Sequence, residues 1–367
     1  MTVADDRGPS PGMVHDGLRN ISPYLDPVNR KRAGRTVFFH LLGALGLGRL
    51  LHVLNRRAGR IPVIVFHRVS PHPDPFWPPY TPEEFRRLIA FLAQRYRFIT
   101  LDDLLTKGAD ELRDGLVITF DDVWHDFVDH ALPVLRDHRV PVTQFVATEA
   151  VEQRSLIWTS LLDQAFRRTE ARTIEFSLEG RPHHFALPDE ATRVRVADQV
   201  QRMLKRLPDT LRRQALDALL DQLGRPGADP HMRLCTWDEL RSLRTEVAFH
   251  AHSVSHPGLP HVEDDELLEA ELAGCQRTMH TELGTKPRYL AYPMGAHDDR
   301  VVARSAQLYE AAFATGNDLV DLERLRREPA YRYRIPRFNL TDTAPHEAYL
   351  RLNGFHAWLF RMMGRSA

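Results

Sequence analysis

Short apolar runs that end in polar residues recur along this chain, and segments with helical spacing lie between them. The clearest runs are IPVIVF (61–66), LVITF (116–120), VPVTQFVA (140–147) and VAFH (247–250). Their near-continuous apolar, β-branched character is typical of strands buried on both faces of a parallel sheet. Segment 82–96 begins within the capping sequence TPEE (81–84), and segment 263–283 ends before Gly284, so both are predicted helices. This alternation predicts an α/β fold with a parallel sheet, open or closed into a barrel.

The alternation is interrupted between about residues 150 and 235. Segment 173–187 alternates apolar and polar residues around Glu179-Gly180, which predicts a hairpin, and 191–223 is an arginine-rich helical stretch. The block is too long for a loop and too regular for a disordered segment, so we interpret it as an insertion at the rim of the sheet. Its arginines are expected to form an ion-paired surface, with binding of an anionic glycan as the alternative.

The rest of the chain divides into an N-terminal tail (1–35), an amphipathic helix (36–58), the main domain (60–345) and a C-terminal helix (346–367). The first residues show no basic patch leading into an apolar core, as a secretory signal has, so we expect a cytoplasmic protein. The apolar run 37–54 is interrupted by charge and shorter than the roughly 20 residues of a membrane span. It favours a helix that packs on the domain or makes peripheral contact with the inner face of the membrane, rather than an anchor.

Composition excludes some functions. Lys plus Arg and Asp plus Glu both number 49, so no excess charge points to nucleic acid. Cys235 and Cys275 match no metal-ligand spacing and imply no disulfide framework, so we place them in the core. The 19 histidines raise the expectation of a metal site without locating it.

Two adjacent carboxylates, Asp121 and Asp122, directly follow the run 116–120. The carboxyl ends of parallel strands are where α/β enzymes collect polar chemistry. Neighbouring residues at a strand end point in different directions, so one acid can bind a cation while the other moves a proton. The alternative is that Asp122 caps the following helix.

A histidine pair, His252 and His256, follows the run 247–250 in the sequence HSVSH. Its spacing of four places both imidazoles within reach of one ion, and imidazole suits zinc and its neighbours. With Asp122 the pair would form a two-histidine, one-carboxylate site that leaves positions open for water and substrate. Two surface histidines on a helix have the same spacing, so the prediction rests on both motifs following a buried strand.

Four motifs then occur in a recognisable order: FHRV (66–69), TFDD (119–122), HSVSHP (252–257) and YPMG (292–295). In that order they resemble the polysaccharide deacetylases of carbohydrate esterase family four, which share the NodB-like homology domain. The likeness spans about residues 60–340 without the insertion. It implies a distorted (β/α) barrel of about seven or eight strands, here with a hairpin-plus-helix insertion.

The resemblance implies a metal-dependent hydrolase that removes acetyl groups, above all N-acetyl groups, from a sugar or polysaccharide. The metal ligands would be Asp122, His252 and His256. Asp121 would be the general base for a metal-activated water. We expect the divalent metal to be Zn²⁺, with Co²⁺, Ni²⁺ or Mn²⁺ as alternatives.

By the same resemblance, the turn formed by Tyr292, Pro293, Met294 and Gly295 would bind the substrate and the developing oxyanion. The backbone N–H of Met294 is the expected donor. Pro293 and Gly295 would shape the turn so that this amide points into the cleft. Ser253 is expected to orient the histidine loop.

The sequence departs from the family pattern at three points. Val123 stands where glycine usually follows the two acids. The arginine that orients the base is missing from its usual place, and Arg337 is the candidate replacement, because a guanidinium grips a carboxylate with two bonds. A surface ion pair is the alternative for this arginine. The closing Leu-His motif that supplies the general acid is not visible, so His67 is the expected substitute, with His297 and His346 as weaker candidates.

The expected substrate is an acetylated sugar or glycan, above all an N-acetylhexosamine of an exopolysaccharide or its precursor. Trp124 is the preferred residue to stack on a sugar ring, ahead of Trp77 and Trp158, although packing is the alternative for each. Two other hypotheses stay open. An amidase acting on a small amide or ureide would have a closed pocket under the insertion rather than an open groove, and a carbohydrate-binding protein would keep the fold without turnover.

Overall fold

The computed structural model describes residues 39, 42, 45–178, 180–227, 229–341 and 343–355. The predicted tail (1–35), Glu179 of the predicted hairpin turn and most of the predicted C-terminal helix lie outside this set. The strands are β1 (Arg60–Ile61), β2 (Val63–Phe66), β3 (Arg97–Phe98), β4 (Gly115–Asp121), β5 (Val142–Val146), β6 (Thr173–Leu178), β7 (Arg181–Ala186), β8 (Val247–Ala251), β9 (Tyr289–Ala291), β10 (Ala311–Phe313), β11 (Val320–Asp321) and β12 (Phe338–Asn339). The α-helices are α1 (Leu47–Arg57), α2 (Pro82–Ala93), α3 (Leu101–Thr106), α4 (Leu132–Asp137), α5 (Thr148–Glu152), α6 (Trp158–Arg168), α7 (Glu190–Leu204), α8 (Asp209–Leu223), α9 (Trp237–Leu243), α10 (Asp265–Leu283), α11 (Asp299–Leu308), α12 (Leu322–Arg327) and α13 (Pro345–Leu352).

A curled parallel sheet organises the molecule. Seven strands pair in the order β10-β9-β8-β5-β4-β2-β12 and turn through 248° about an axis, and β3 adds to β4 as an eighth. The curl is closed on its open side by one segment, because Ile335 bridges to Phe313 of β10 shortly before β12 pairs with β2. The predicted distorted barrel is confirmed, and its carboxyl edge brings the ends of β2, β4, β5, β8 and β9 side by side.

Local sequence signals set most element boundaries. Thr81 and Thr236 form capping boxes with the glutamates three residues later, and α10 ends at Gly284 with φ 70°. Two segments differ from what their sequence pattern suggests. Residues 331–338 read as one strand, but the segment begins as a 3₁₀ turn and meets the sheet only at the Ile335 bridge and at β12. Asp102, which resembles an N-cap, lies inside α3, whose N-cap is Thr100.

The insertion is a hairpin and three helices with an apolar core of their own. β6 and β7 pair antiparallel, as predicted, and pack with α6, α7 and α8. The cluster also includes Trp77, Trp124 and Met294 of the barrel, so the insertion sits on the rim next to the carboxyl ends of the strands. The predicted hairpin-plus-helix insertion is confirmed.

Helix α1 packs on α13 and leaves an apolar face exposed. Leu50, Val53 and Leu54 are 57%, 41% and 50% exposed, and Leu45 just before the helix is 81% exposed. Among the described residues, no helix has both the length and the apolar content needed to span a membrane. Peripheral membrane contact through residues 37–54 stays a prediction.

Candidate active site

Side chains from neighbouring strands converge at the carboxyl edge of the sheet. Asp121 is the last residue of β4, and His67 directly follows β2. His252 follows β8, and the turn beginning at Tyr292 follows β9. The register pairs Asp121 with Phe145 of β5, so the acid pair lies between the strands that carry His67 and His252. Residues as far apart in sequence as His67 and Met294 thereby share one cleft.

Asp121 is held by Arg337. The two terminal guanidinium nitrogens of Arg337 donate to the two carboxylate oxygens of Asp121, both at 2.8 Å, and one of them also donates to Thr119 Oγ1 at 3.2 Å. Arg337 is only 1% exposed, so it is not the surface ion pair weighed as an alternative. Burial alone would raise the pKa of Asp121, but Arg337 and then His252 outweigh this effect and lower it to about 2. Asp121 is therefore an oriented, ionised carboxylate.

Asp122, His252 and His256 form the second group. Asp122 Oδ1 lies 3.5 Å from His252 Nε2 and 3.8 Å from His256 Nε2, and one ligand atom from each residue lies within 4.8 Å of the other two. All three residues are buried. A tetrahedral zinc site with bonds of about 2.1 Å separates its ligand atoms by about 3.4 Å, so this spacing suits one ion.

The loops that carry these groups have an unusual backbone. Asp122 and Val123 have φ angles of 74° and 49°, and Ser253, His256 and Met294 have φ angles of 63°, 58° and 57°. Non-glycine residues rarely adopt this left-handed region, and such strain gathers at functional sites. Val123, which stands where the resemblance leads us to expect a glycine, is one of these left-handed residues.

The alternative role for Asp122, as the cap of the next helix, is wrong. The next helical segment is a π-helical turn, Phe127–Ala131, whose N-cap residue is Asp126.

The aromatic ring of the YPMG turn does not line the cleft. Tyr292 is fully buried, and its hydroxyl donates to the carbonyl of Tyr333. Gly295 has φ 72°, and a Cβ there would collide with Thr315, so both the backbone and the packing require glycine. Pro293 is buried, whereas the Met294 side chain reaches the cleft.

The cleft is a cavity of about 560 Å³. Barrel residues form its floor, among them His67, Asp121, Asp122, His252 and His256. Residues of α6 and α7 in the insertion form the opposite wall. The volume falls in the range of small-ligand sites, and the insertion therefore borders the space in which a substrate would react.

The sequence matches the polysaccharide deacetylase family over residues 109–311, which is more than half of the chain. The chain belongs to the polysaccharide deacetylase family. The match includes both acids, the histidine pair and the YPMG turn, whereas His67 and Arg337 lie outside it. The family consists of carbohydrate deacetylases, so the cleft is the candidate site of a deacetylation reaction.

Solved deacetylases share the fold at low sequence identity. The deacetylase PplD of Streptococcus pyogenes, solved in complex with acetate, has a TM-score of 0.52 and 13% identity, covering 80% of this chain and 98% of that one. The polysaccharide deacetylase BC0361 of Bacillus cereus has a TM-score of 0.51 and 15% identity, covering 80% of this chain and 69% of that one. No curated protein sequence matches this chain significantly.

The Asp122 group of this deacetylase fits a divalent metal. His252 Nδ1 lies 2.8 Å from the carbonyl of Ala291 and must donate to it, which leaves Nε2 as a bare lone pair facing Asp122. Burial lowers the pKa of both histidines, so each is neutral and able to bind a metal. Burial and then Asp121 raise the pKa of Asp122 well above its usual range, and Oδ1 has no hydrogen-bond donor. A bound cation would supply the missing partner of this buried carboxylate.

The three histidines considered as the general acid of the deacetylase lie in different surroundings. His67 lines the cavity with its ring against Trp77, and burial lowers its pKa to about 4, so it is neutral near pH 7. His297 bonds to the carbonyl of Gly295, and His346 packs on Phe91. The cleft lining includes His67 but neither of the other two.

The prediction that Trp124 stacks on a sugar is wrong. Its side chain is 1% exposed and lies against the guanidinium of Arg68, because the left-handed turn before it directs it into the core. Trp158 is also buried and donates from Nε1 to the carbonyl of His256. Trp77 lines the cavity and is the aromatic surface that a sugar can reach.

Sequence reasoning missed several residues of the site. Glu271 of α10 accepts hydrogen bonds from the backbone N–H groups of Val254 and Ser255 and from the Ser255 hydroxyl, so it supports the histidine loop from behind. Within that loop Ser253 Oγ accepts from the His256 amide, the contact expected of it. No local pattern marks Glu271, because its role arises only when α10 packs on the loop after β8.

Proposed function

We propose that this family member is a metal-dependent deacetylase that hydrolyses N-acetyl groups of a hexosamine saccharide. The observation that carries the proposal is the juxtaposition of two groups in one cavity: the ion-fitting Asp122, His252 and His256, and the oriented carboxylate of Asp121. Asp121 is separate from the proposed metal ligands, because both of its carboxylate oxygens accept hydrogen bonds from Arg337.

Asp122, His252 and His256 would hold the ion. When bound, a divalent metal of the zinc class lowers the pKa of water and polarises a carbonyl group. The donor set of two imidazoles and one carboxylate favours Zn²⁺, with Co²⁺, Ni²⁺ and Mn²⁺ as competitors. Three protein ligands leave room for water and substrate, as a catalytic rather than structural site needs.

Asp121 moves the proton in the proposed reaction. It accepts a proton from the water that attacks the acetyl carbonyl, and it returns this proton to the amide nitrogen as the C–N bond breaks. The products are acetate and the free amine, so atoms and protons balance without a second acid. Arg337 positions the carboxylate of Asp121. The pKa of Asp121, about 2, keeps this carboxylate ionised before attack.

His67 and the Met294 turn complete the proposal. A neutral His67 does not supply a proton as an imidazolium, so we assign it a hydrogen bond to the substrate instead of the general-acid role. The backbone N–H of Met294 remains our candidate to bind the oxyanion, and the left-handed backbone at Met294 supports this turn as a preformed feature.

The partly enclosed cleft bears on substrate size. Helices α6 and α7 wall the cavity, which supports a saccharide unit or short oligosaccharide over the middle of a long polymer. The same feature favours the amidase alternative on a small amide, whereas family membership supports a carbohydrate substrate.

We propose a location at the cytoplasmic face of the membrane on the sequence argument alone.

One experiment separates these functions. Purified protein is analysed for bound metal and incubated with N-acetylated and O-acetylated saccharides and with small amides while acetate and ammonia are measured. Acetate release from N-acetylated sugars that stops with a chelator, and returns with zinc, supports the proposal. Ammonia release from small amides would select the amidase, and sugar binding without either product would select the non-catalytic protein.

A further inference from the structure

The insertion places two uncommitted charged groups on the wall of the catalytic cavity. Asp163 lies on α6 and Lys205 lies at the C-terminus of α7, and both line the cavity shared with Asp121, Asp122 and the histidines. Neither belongs to the four motifs that identify the family, and neither is used in the proton path above. Their position in the same cavity as the metal ligands is where the remainder of a bound saccharide would lie.

Asp163 is oriented but only half used. Gln201 of α7 donates from Nε2 to Asp163 Oδ1 at 2.7 Å and also to the carbonyl of Thr159 at 3.2 Å, which fixes the carboxylate against α6. Within the described residues its second oxygen, Oδ2, has no hydrogen-bond or ion-pair partner. Burial raises the pKa of Asp163 to about 7, because solvent and neighbouring charges stabilise its ionised form only weakly. A hydrogen-bond donor of a ligand at Oδ2 would stabilise the ionised form.

Lys205 is the matching donor. Its backbone carbonyl packs against Gly258, two residues after His256, so the side chain is tethered beside the histidine loop. In the part of the chain that the structure describes, no carboxylate oxygen lies within 4.0 Å of the Lys205 ammonium, so Lys205 forms no ion pair there. Burial lowers the pKa of Lys205, and the charges of Asp163 and Asp198 act against this effect without outweighing it. A partly buried ammonium without a partner is costly unless a ligand accepts its hydrogen bonds.

The cavity also has an aromatic lining. Phe76 and Trp77 line it and are only partly buried. Aromatic faces together with fixed polar groups suit a sugar ring, whose C–H face is apolar and whose edge carries hydroxyls. A hydroxyl both donates and accepts, so it can donate to Asp163 and accept from Lys205 across the gap that separates them. The insertion lines the cavity with two carboxylates, Asp163 and Asp198, and two cationic groups, Arg195 and Lys205, so its charges balance, which favours an uncharged sugar over an anionic one.

We propose that Asp163 and Lys205 bind hydroxyl groups of the acetylated saccharide and make the insertion the specificity element of the enzyme. This inference rests on the proposed deacetylase function and deepens it. The ligand is a neutral hexosamine unit whose ring lies against Trp77, with its acetyl group at the Asp122 group and its hydroxyl edge on the insertion. The site thereby distinguishes a sugar from a simple acetyl compound.

The test compares Asp163→Asn and Lys205→Met with two matched controls in the zinc-loaded protein. Asn keeps the Gln201 hydrogen bond, and Met keeps the shape of the lysine stem. The controls are Asp221→Asn, an exposed carboxylate of the insertion, and Lys286→Met, an exposed lysine away from the cavity. Acetate release is measured with the tetramer of N-acetylglucosamine and with 4-nitrophenyl acetate, which has no sugar hydroxyls.

We expect each cavity variant to raise KM for the tetramer by about ten-fold or more, as the loss of a hydrogen bond to a charged group does, with a smaller change in kcat. Hydrolysis of 4-nitrophenyl acetate should not change, and both controls should match wild type. A KM for the tetramer within about two-fold of wild type in both variants, or equal losses on both substrates, overturns the inference.

Calorimetry separates this inference from the proposed function. If no acetate is released from any saccharide, the proposed function fails, and binding of the tetramer to the wild-type protein still decides the subsite. Binding that is weakened in both cavity variants and kept in both controls supports it. Binding that is equal in all five proteins, or absent from wild type for every N-acetylated saccharide tried, overturns it.

Discussion

Arg337 and Asp121, which stand 216 positions apart, form a buried two-bond pair at the mouth of the barrel. The arginine reaches the base from the segment that closes the sheet, which lies outside the part of the chain that matches the family. Burial would otherwise raise the pKa of Asp121, so Arg337 is what keeps the carboxylate ionised and fixed.

We predict that Asp121→Asn lowers kcat for acetate release by about 10²- to 10⁴-fold, the usual contribution of a general base, while metal content and KM change little. Asn cannot accept the proton but keeps the shape of the site. Steady-state kinetics and metal analysis of the same preparation check this. Full activity in Asp121→Asn would remove Asp121 from the reaction path.

Arg337→Met is expected to move the acid limb of the kcat profile to higher pH. Without the guanidinium, the effect of burial on Asp121 is no longer outweighed, so its pKa rises and the base is lost by protonation at a higher pH than in wild type. The matched control is Arg334→Met, because Arg334, three positions before Arg337, is a more exposed arginine that pairs with Asp299. An unchanged limb in Arg337→Met would mean that another group controls the ionisation of the base.

Removal of one ligand should abolish the metal site. We expect His256→Ala to weaken zinc binding by more than about 100-fold, which is the upper end of what loss of an outer support costs. The zinc-dependent rise in melting temperature should disappear with it, because an ion that binds only the folded state stabilises it. His280→Ala, an exposed histidine at the end of α10, is the control. Equal zinc binding in His256→Ala and wild type would exclude the proposed ligand set.

Glu271 offers a test of how the histidine loop is held. Glu271→Ala leaves the N–H groups of Val254 and Ser255 without their acceptor, and we expect about a 10- to 100-fold loss of metal affinity. Glu271→Gln keeps an acceptor oxygen for these amides and should restore most of the affinity. Competition with a fluorescent zinc chelator measures both. If Gln behaves like Ala, the charge of Glu271 rather than its hydrogen bonds is what matters.

Much of the site could be predicted because its residues are tied to strand ends. Asp121, Asp122 and His252 follow buried strands, and parallel strands present their carboxyl ends at one edge, so sequence position alone implies proximity. Arg337 was identified because the family resemblance implies an arginine that orients the base, and a guanidinium can grip a carboxylate with two bonds. The barrel followed from the same alternation of strand and helix.

Other residues could not be found in this way because their contacts arise only from tertiary packing. Asp163 and Lys205 reach the cavity because α6 and α7 pack over the rim, and no pattern in the insertion reports where it sits. Trp124 was misassigned for the opposite reason. It follows the acids in sequence, but the left-handed backbone at Asp122 and Val123 turns it away from the cleft.

Asp163 should cost the fold stability at neutral and alkaline pH. Its pKa is about 7 in the folded protein, chiefly because of burial and with Asp74 adding to it, while Gln201, Lys205 and Arg167 act against the shift. Between about pH 4 and pH 7 the unfolded chain releases this proton and the folded chain retains it, so the contribution to stability falls as pH rises.

We therefore expect Asp163→Asn to be more stable than wild type by about 1–2 kcal/mol at pH 8, since one pKa unit corresponds to about 1.4 kcal/mol and the group is partly exposed to solvent. The difference should shrink to a small fraction of this near pH 4, where the carboxyl is protonated in the folded protein and about half protonated in the unfolded chain. Denaturant unfolding of zinc-free protein at both pH values measures this, with Asp221→Asn as the control. An Asn variant that is less stable than wild type at both pH values would mean that the carboxylate holds the insertion together. A gain in stability with a loss of sugar binding would instead identify Asp163 as a residue kept for its ligand at the expense of the fold.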